Sequence, residues 1–446
     1  MKSILSAAVM AATLPAVAHA HDDGKGNIIM PAFEFFLEEF SNAAGARANE
    51  DSNAPRGHAP CIEGMSAGVY PCQSVDMLSH LTLDDLGFSF VNDMWGWTDP
   101  VTKRDYALVG GAEGTTIVDV TDPKRPIVIG QLPARYTQSF VFWRDIKVYK
   151  DHAYVVAEDD GSGLQILDLT EVRNYTGTPI TFTDTATYDG YDHSHNIVIN
   201  EDTGYAYVVG SNTCDGGLHM IDISSPASPV FAGCGSYFGY IHDTECVVYD
   251  GPDAAYQGRE ICFNSATNDL RGPFTPDRFE SVLDIVDVTD KSAPVQLGRI
   301  EYPLDGYSHQ GSLSGDKVHF FHNDELDELF RGSNTSTRIF NVSDLNNPVL
   351  VNEVQHATTS IGHNAYVEGD HLIAANYTTG LRIYDTSIAA DGELPEIAWF
   401  DVYPANDNAS FEGGAWTAFP FFRQKKIVAV SSSERGLFIL QPRLGN

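Results

Sequence analysis

The chain has 446 residues, 43% of them hydrophobic, and sets 61 acidic side chains against 27 basic ones, for a formal net charge of −34. Such a surface repels nucleic-acid phosphates and anionic lipid headgroups, so neither is expected as a partner. The hydrophobic fraction supports a sizeable core, and the length permits two or three ordinary domains or one large β domain.

The first element is an address. Lys2 precedes the apolar run ILSAAVMAATLPAVA, which ends at the small-x-small site Ala18-His19-Ala20. This reads as a signal peptide over residues 1–20, with the mature chain starting near His21. No later segment is long and apolar enough to span a bilayer, so the expectation is an exported protein, periplasmic or extracellular, with no transmembrane segment in the mature chain. Residues 21–73 read as an N-terminal extension: a short amphipathic helix at MPAFEFFLEEF (30–40), a flexible linker, and a loop bounded by Cys61 and Cys72.

A repeat follows. TTIVDVTDPKRPIVIGQL (115–132) is echoed by LHMIDISSPASPVFAGC (218–234), LDIVDVTDKSAPVQLGRI (283–300) and TRIFNVSDLNNPVLVNEV (337–354), with weaker copies at LQILDLT (164–170) and LRIYDTS (381–387). Each copy is an alternating β-branched strand, a polar turn and a second strand. Upstream of each lies another strand pair, which makes four antiparallel strands, a to d. Strand a opens with a polar doublet: Asn92-Asp93, Arg144-Asp145, His195-Asn196, His242-Asp243, His309-Gln310 and His363-Asn364, with Gly414-Ala415 as a degenerate seventh. The spacing, about 54 residues per unit, is that of a propeller repeat. Seven units predict an all-β, seven-bladed β-propeller over residues 74–446. The last unit lacks strand d, and VDMLSHLTL (75–83) has the pattern of one. An N-terminal strand is therefore expected to complete the last blade and remove its open edge.

Six cysteines suit an oxidising compartment. The repeat places them in three local pairs, Cys61–Cys72, Cys214–Cys234 and Cys246–Cys262. No C-x-x-C occurs, which sets a zinc–thiolate site aside.

In a propeller, strand a lines the axis. His195, His242, His309 and His363 thus open the innermost strands of four consecutive blades and are expected to ring one mouth of the central channel. Strand b ends reach the same face. Converging imidazoles suit a divalent transition metal such as Fe, Cu, Zn or Mn. Asp93, Arg144, Asp145, Glu158, Asp243, Glu325 and Glu434 are the candidate outer-shell or rim residues, since carboxylates fix imidazole tautomers. The bland alternative is that the histidines staple neighbouring blades. Arg144 is expected to pair with Asp93 or Asp145, the alternative being an anionic ligand. His193 reads as a solvated loop residue, and Trp95, Trp97, Trp143 and Trp416 as inter-blade packing. Two b–c insertions, SATNDLRGPFTPDRFES and NDELDELFRGSNTS, could cover the mouth. The DELDE run (324–328) reads as a solvated acidic loop, with Ca²⁺ binding at the rim as the alternative. No P-loop, G-x-S-x-G elbow or strand-linked G-x-G-x-x-G is present, so no nucleotide cofactor is expected and no catalytic residue is assigned.

The chain resembles the choice-of-anchor B family, whose propeller is built of LVIVD repeats. The resemblance runs from about Cys61 to Pro442 and rests on NDMWGWTDP, WRDIKVY, HNIVINEDTGYAY, HDTECVVYDGPD, GREICF, DIVDVTDKSAP, DELDE, GAWTAFPFF and SERGLFIL. It implies an exported bacterial protein with a constant propeller body. Members commonly add a C-terminal sorting anchor; this sequence stops at Gly445-Asn446, which favours a form without one. The resemblance supplies no catalytic residues. The leading functional expectation is a binding or scaffold module for a small molecule or protein at the channel mouth, with a metal on its axis. The alternatives are a metalloenzyme, oxidoreductase or hydrolase, using that site, and a surface adhesion protein.

Overall fold

In the computed structural model, residues 54–135, 141–270, 279–303 and 305–444 are described. The expected signal peptide, amphipathic helix and most of the linker lie outside these residues, as does the middle of the blade 4 insertion. The repeats form seven antiparallel sheets, each with strand order a-b-c-d outward from the axis. The innermost strands are Val91–Thr98, Arg144–Tyr149, Asn196–Asn200, Tyr240–Val248, Ser308–Leu313, Ala365–Glu368 and Ala415–Phe422. Each packs on the next, and the seventh packs on the first, so the ring is closed.

The LVIVD motif does a local job at the end of strand c. Its final Asp or Asn accepts a hydrogen bond from the backbone N–H two residues on: Asp119 from Thr121, Asp222 from Ser224, Asp287 from Thr289, Asn341 from Ser343 and Asp385 from Ser387. This Asx turn reverses the chain into strand d. A β-bulge in the middle of the c–d pairing recurs in six blades, at Val118, Ile221, Val286, Phe340 and Tyr384 and, in blade 7, between Met77 and Ser79. Bulges increase local twist, which a propeller blade needs to fan outward. The β-branched residues between them fill the space between blades. Leu108 and Ile117 of blade 1, for example, pack with Ile146, Val155 and Leu167 of blade 2.

Two blades are larger than four strands. Tyr70–Gln73 and Met65–Ser66 extend blade 6 beyond Glu396–Phe400, and Ile180–Thr181 pairs in parallel with Ile127–Pro133 on blade 1. Both additions cover outer edges that would otherwise offer unpaired backbone groups. All three disulfides are formed: Cys61–Cys72, Cys214–Cys234 and Cys246–Cys262. Cys246 and Cys262 lie directly opposite each other across strands a and b of blade 4.

Val75–Leu81 is the outer strand of blade 7, antiparallel to Gly436–Pro442, with Val75 opposite Pro442 and Leu81 opposite Leu437. Its His80 ring stacks on Phe438 at 4.0 Å and points Nε2 at the Arg435 carbonyl at 2.7 Å. Burial pulls the His80 pKa down to about 4, against the two carbonyls that would favour its cation.

Two outcomes follow for this closure. A chain starting at Asp84 lacks the outer strand, and it should give little soluble protein or a large fall in Tm; a soluble chain with the wild-type Tm would refute the pairing. His80 predicts an acid dependence. Its folded pKa lies below the unfolded value, so its contribution is complete above pH 6.5 and is lost as pH falls through about 4. His80→Phe should flatten the decline of stability between these limits by up to about 3 kcal/mol, as read from denaturant midpoints against pH.

Candidate metal centre

The start of strand a is where sequence becomes site. His242 and His309 each sit in a β-bulge, between Ile241 and Asp243 and between Ser308 and Gln310. A bulge re-aims one side chain without breaking the ladder. Here it turns the imidazole toward the axis. Successive rings meet edge to face-like tilts around that axis: His195–His242 and His242–His309 at 4.2 Å, and His309–His363 at 4.4 Å between centroids. All four are at most 5% exposed.

The two ring nitrogens have different tasks. Nδ1 of His242 meets the His309 carbonyl at 2.9 Å, and Nδ1 of His363 meets the Trp416 carbonyl at 2.6 Å. A carbonyl can only accept, so both Nδ1 atoms carry the proton and both Nε2 atoms are left with a lone pair. Glu325, from the end of strand b in blade 5, enters the same space. Its Oε1 accepts from the Tyr377 hydroxyl at 3.0 Å and lies 3.6 Å from His363 Nε2; its Oε2 lies 3.9 Å from His309 Nε2. That Oε2 is buried with no hydrogen-bond partner among the described residues, as is His309 Nδ1. One ligand atom each from His242, His309 and Glu325 fall within 4.8 Å of one another.

Burial sets the charges. It drives His242 and His309 well below the ordinary histidine range and His363 to about 3, with the neighbouring imidazoles adding to the effect. It raises Glu325 to about 7, partly offset by the Tyr377 hydrogen bond. His195 differs. Burial opposes its charged form, but Glu158 Oε1, 2.7 Å from Nδ1, outweighs it and raises the pKa.

Three further layers surround the histidines. On the d–a side an apolar plug, including Phe90, Phe142, Tyr240, Tyr307 and Ile361, closes the channel. Leu326 and Phe330, at the short helix Asp327–Arg331 of the blade 5 insertion, add to it. The space left among His195, His242, His309, His363 and Glu325 is about 10 Å³, room for one water or ion. On the other side lies a polar ring made by the second doublet residues: Asn364 donates to Thr417, Thr417 to Asp93, and Asp145 accepts from Ile197 N. Lys147 sits in this ring, 2.6 Å from Asp145 and 3.9 Å from Asp93. Below the ring, a funnel of about 670 Å³ opens between the a–b turns.

The family profile of the LVIVD repeat matches residues 102–132, 193–236 and 279–301. The chain thus carries LVIVD repeats on a seven-bladed propeller. No curated protein matches it. Among solved structures it is similar to U3-55K, at 9% identity and a TM-score of 0.53, covering 84% of this chain and 99% of that one. A protein from Lactobacillus plantarum aligns at 14% identity and a TM-score of 0.47, over 76% of this chain and 88% of that one. At these identities the first likeness concerns the fold alone.

The LVIVD propeller brings the four predicted histidines together but corrects much around them. They do not ring an open mouth, because the plug seals that face. Glu325 is not a rim residue; it stands among the imidazoles, while His195 turns to Glu158. Asp93, Asp145 and Asp243 belong to the polar ring or the funnel floor and bond no histidine ring. Glu434 accepts from Gly414 N at 2.7 Å and pairs with Arg435. Arg144 lines the histidine space, but it forms no ion pair among the described residues; its Nε donates to the Gly111 carbonyl at 3.2 Å. The period-2 alternation explains this: Arg144 faces the plug side, and Asp93 and Asp145 the ring. The seventh doublet is Trp416-Thr417, not Gly414-Ala415, since Trp416 occupies the bulge that His242 and His309 occupy in their blades. DELDE is no solvated loop: Asp324, Glu325, Asp327 and Glu328 are all buried. Asp324 accepts from Tyr302 and Gly306, and Asp327 pairs with Arg338 at 2.9 Å. Trp143 and Trp416 flank the histidine row rather than filling inter-blade space, and Trp95 lines the funnel. His193 sits near the surface, 3.4 Å from Asp160.

Two groups escaped the sequence reading. The residue two before five of the doublets (Phe90, Phe142, Tyr240, Tyr307 and Ile361) faces the same side by strand alternation and builds the plug; His193 in blade 3 and Gly414 in blade 7 do not join it. The same alternation from Asp145 marks Lys147. This lysine balances a buried carboxylate, so Lys147→Met should cost about 3–5 kcal/mol, and adding Asp145→Asn should recover most of it. Equilibrium unfolding of the single and double variants measures this; equal stability of Lys147→Met and wild type would refute the buried pair.

Proposed function

We propose that the protein is an exported binding module that holds one divalent transition metal on its axis, through His242, His309 and Glu325 with His363 beside them. The observation that carries this reading is the Glu325 carboxylate: buried, with Oε2 unpartnered and Nε2 lone pairs of histidines within 4 Å. An orphaned buried carboxylate oxygen is costly unless a cation or proton meets it. Two histidines and a carboxylate suit Fe, Mn, Zn or Cu better than Ca²⁺, which prefers oxygen. The Nδ1–carbonyl bonds supply the outer shell that fixes the rings of His242 and His363.

Binding is favoured over catalysis because the plug and the polar ring leave space for an ion or a water and none for an organic substrate. Three disulfides, the leader-like N-terminus and the absence of any helix long and apolar enough to cross a membrane among the described residues support an exported location. The resemblance to choice-of-anchor B proteins supports the same placement.

Elemental analysis of protein purified without chelator should find near-stoichiometric divalent metal. Glu325→Gln should lose most of it and keep the fold, since the substitution conserves shape and the Tyr377 contact. A metal-free wild type, with His309→Ala costing about 1–3 kcal/mol, would leave the histidines as blade staples and end the metal reading.

A further inference from the structure

The funnel on the opposite face is a second, separate feature. Its volume, about 670 Å³, falls within the roughly 300–1,000 Å³ of small-molecule sites. Its wall is aromatic: Trp95 lies 5.8 Å from Tyr366, 5.0 Å from Phe419 and 6.0 Å from Phe421. Trp95, Tyr366 and Phe421 line the cavity and are only partly buried. Its floor is acidic. The Asp243 carboxylate accepts one hydrogen bond, from Thr244 N at 2.7 Å, and has no ion pair among the described residues. The basic groups that reach the funnel are largely spent. Lys147 is held by Asp145 at 2.6 Å, and Arg423 by Glu368 at 2.9 Å. Lys317 at the mouth is opposed by Glu201 and Glu245, which line the same cavity. A cation already rests against this wall, since the Lys147 ammonium lies 4.6 Å from the Trp95 ring centre.

Aromatic faces attract cations through their quadrupole, and a carboxylate at the end of an aromatic pocket adds direction. We propose that the funnel is a binding site for a small organic cation, an amine or quaternary ammonium compound, held between the Trp95–Tyr366–Phe421 wall and the Asp243 carboxylate. Neutral aromatics would use the wall and ignore Asp243. Anions are disfavoured by the protein's charge of −34. The site stands apart from the metal reading, because no funnel residue is a proposed ligand.

The test uses the full mature chain, treated with chelator so that metal plays no part. Choline and its uncharged isostere 3,3-dimethylbutan-1-ol are titrated by calorimetry and by tryptophan fluorescence. Choline should bind and the isostere should not compete with it. Asp243→Asn and Tyr366→Leu should each weaken choline by about tenfold, Tyr366→Phe should retain it, and thermal melting confirms that the variants are folded. Equal binding of the two probes overturns the proposal in favour of a neutral ligand, and failure of choline to bind at millimolar concentration overturns it outright. The wild-type comparison decides even if a variant misfolds.

Discussion

Convergence of seven strands on one axis governs everything else in this molecule. Each innermost strand must begin beside its counterparts, so whatever side chain starts it is buried against the corresponding side chains of the neighbouring blades. A polar residue there cannot reach bulk water. It has to bond across a blade boundary, neutralise, or meet a ligand. The histidine row uses the first two routes. His242 and His363 bond forward to the next blades, at His309 O and Trp416 O, and burial favours their neutral forms; His195 pairs with Glu158, which raises its pKa. Glu325 has a partner for one oxygen only.

Stapling and metal binding, which look like rival readings of a repeated histidine, therefore fall on different atoms. Nδ1 of His242 and His363 joins blades, and Nε2 of His309 and His363 faces Glu325. A ring tied at Nδ1 by a carbonyl is locked in the tautomer that a metal requires, so the staple prepares the ligand. His309 departs from the pattern. Its Nδ1 is unpartnered while its carbonyl serves His242, which makes it the least constrained ring of the row.

Most of the fold was legible because the LVIVD copies carry their own turn chemistry. The Asp or Asn ending strand c, the polar doublet opening strand a and the strand periodicity give blade number and boundaries without tertiary information. The extra strands on blades 1 and 6 were not legible, since two- to four-residue segments such as Ile180–Thr181 carry no periodic signal. In the site, the convergence of His195, His242, His309 and His363 followed from topology alone. What failed was side-chain aim. The bulge between Ala415 and Thr417 places the seventh doublet at Trp416-Thr417, two residues beyond Gly414-Ala415. The acidic run DELDE misled for a different reason: composition suggested solvent, but Arg338 and backbone N–H groups wait inside the fold for its carboxylates.

The layers along the axis also keep the two proposed sites apart. Glu325 lies above the polar ring and Asp243 below it, and burial pushes both pKa values up to about 7. Lys147, with Asp145 and Asp93, lies between them as a compensated layer. A cation entering the funnel meets that lysine before it can reach the histidines, and a metal held above is hidden from the funnel by the same ring. Only small species, water or a bare ion, would pass between the Asn and Thr side chains that complete it. On the two proposals made above, the polar ring would separate an organic cation at the wet end of the axis from an inorganic one at the dry end.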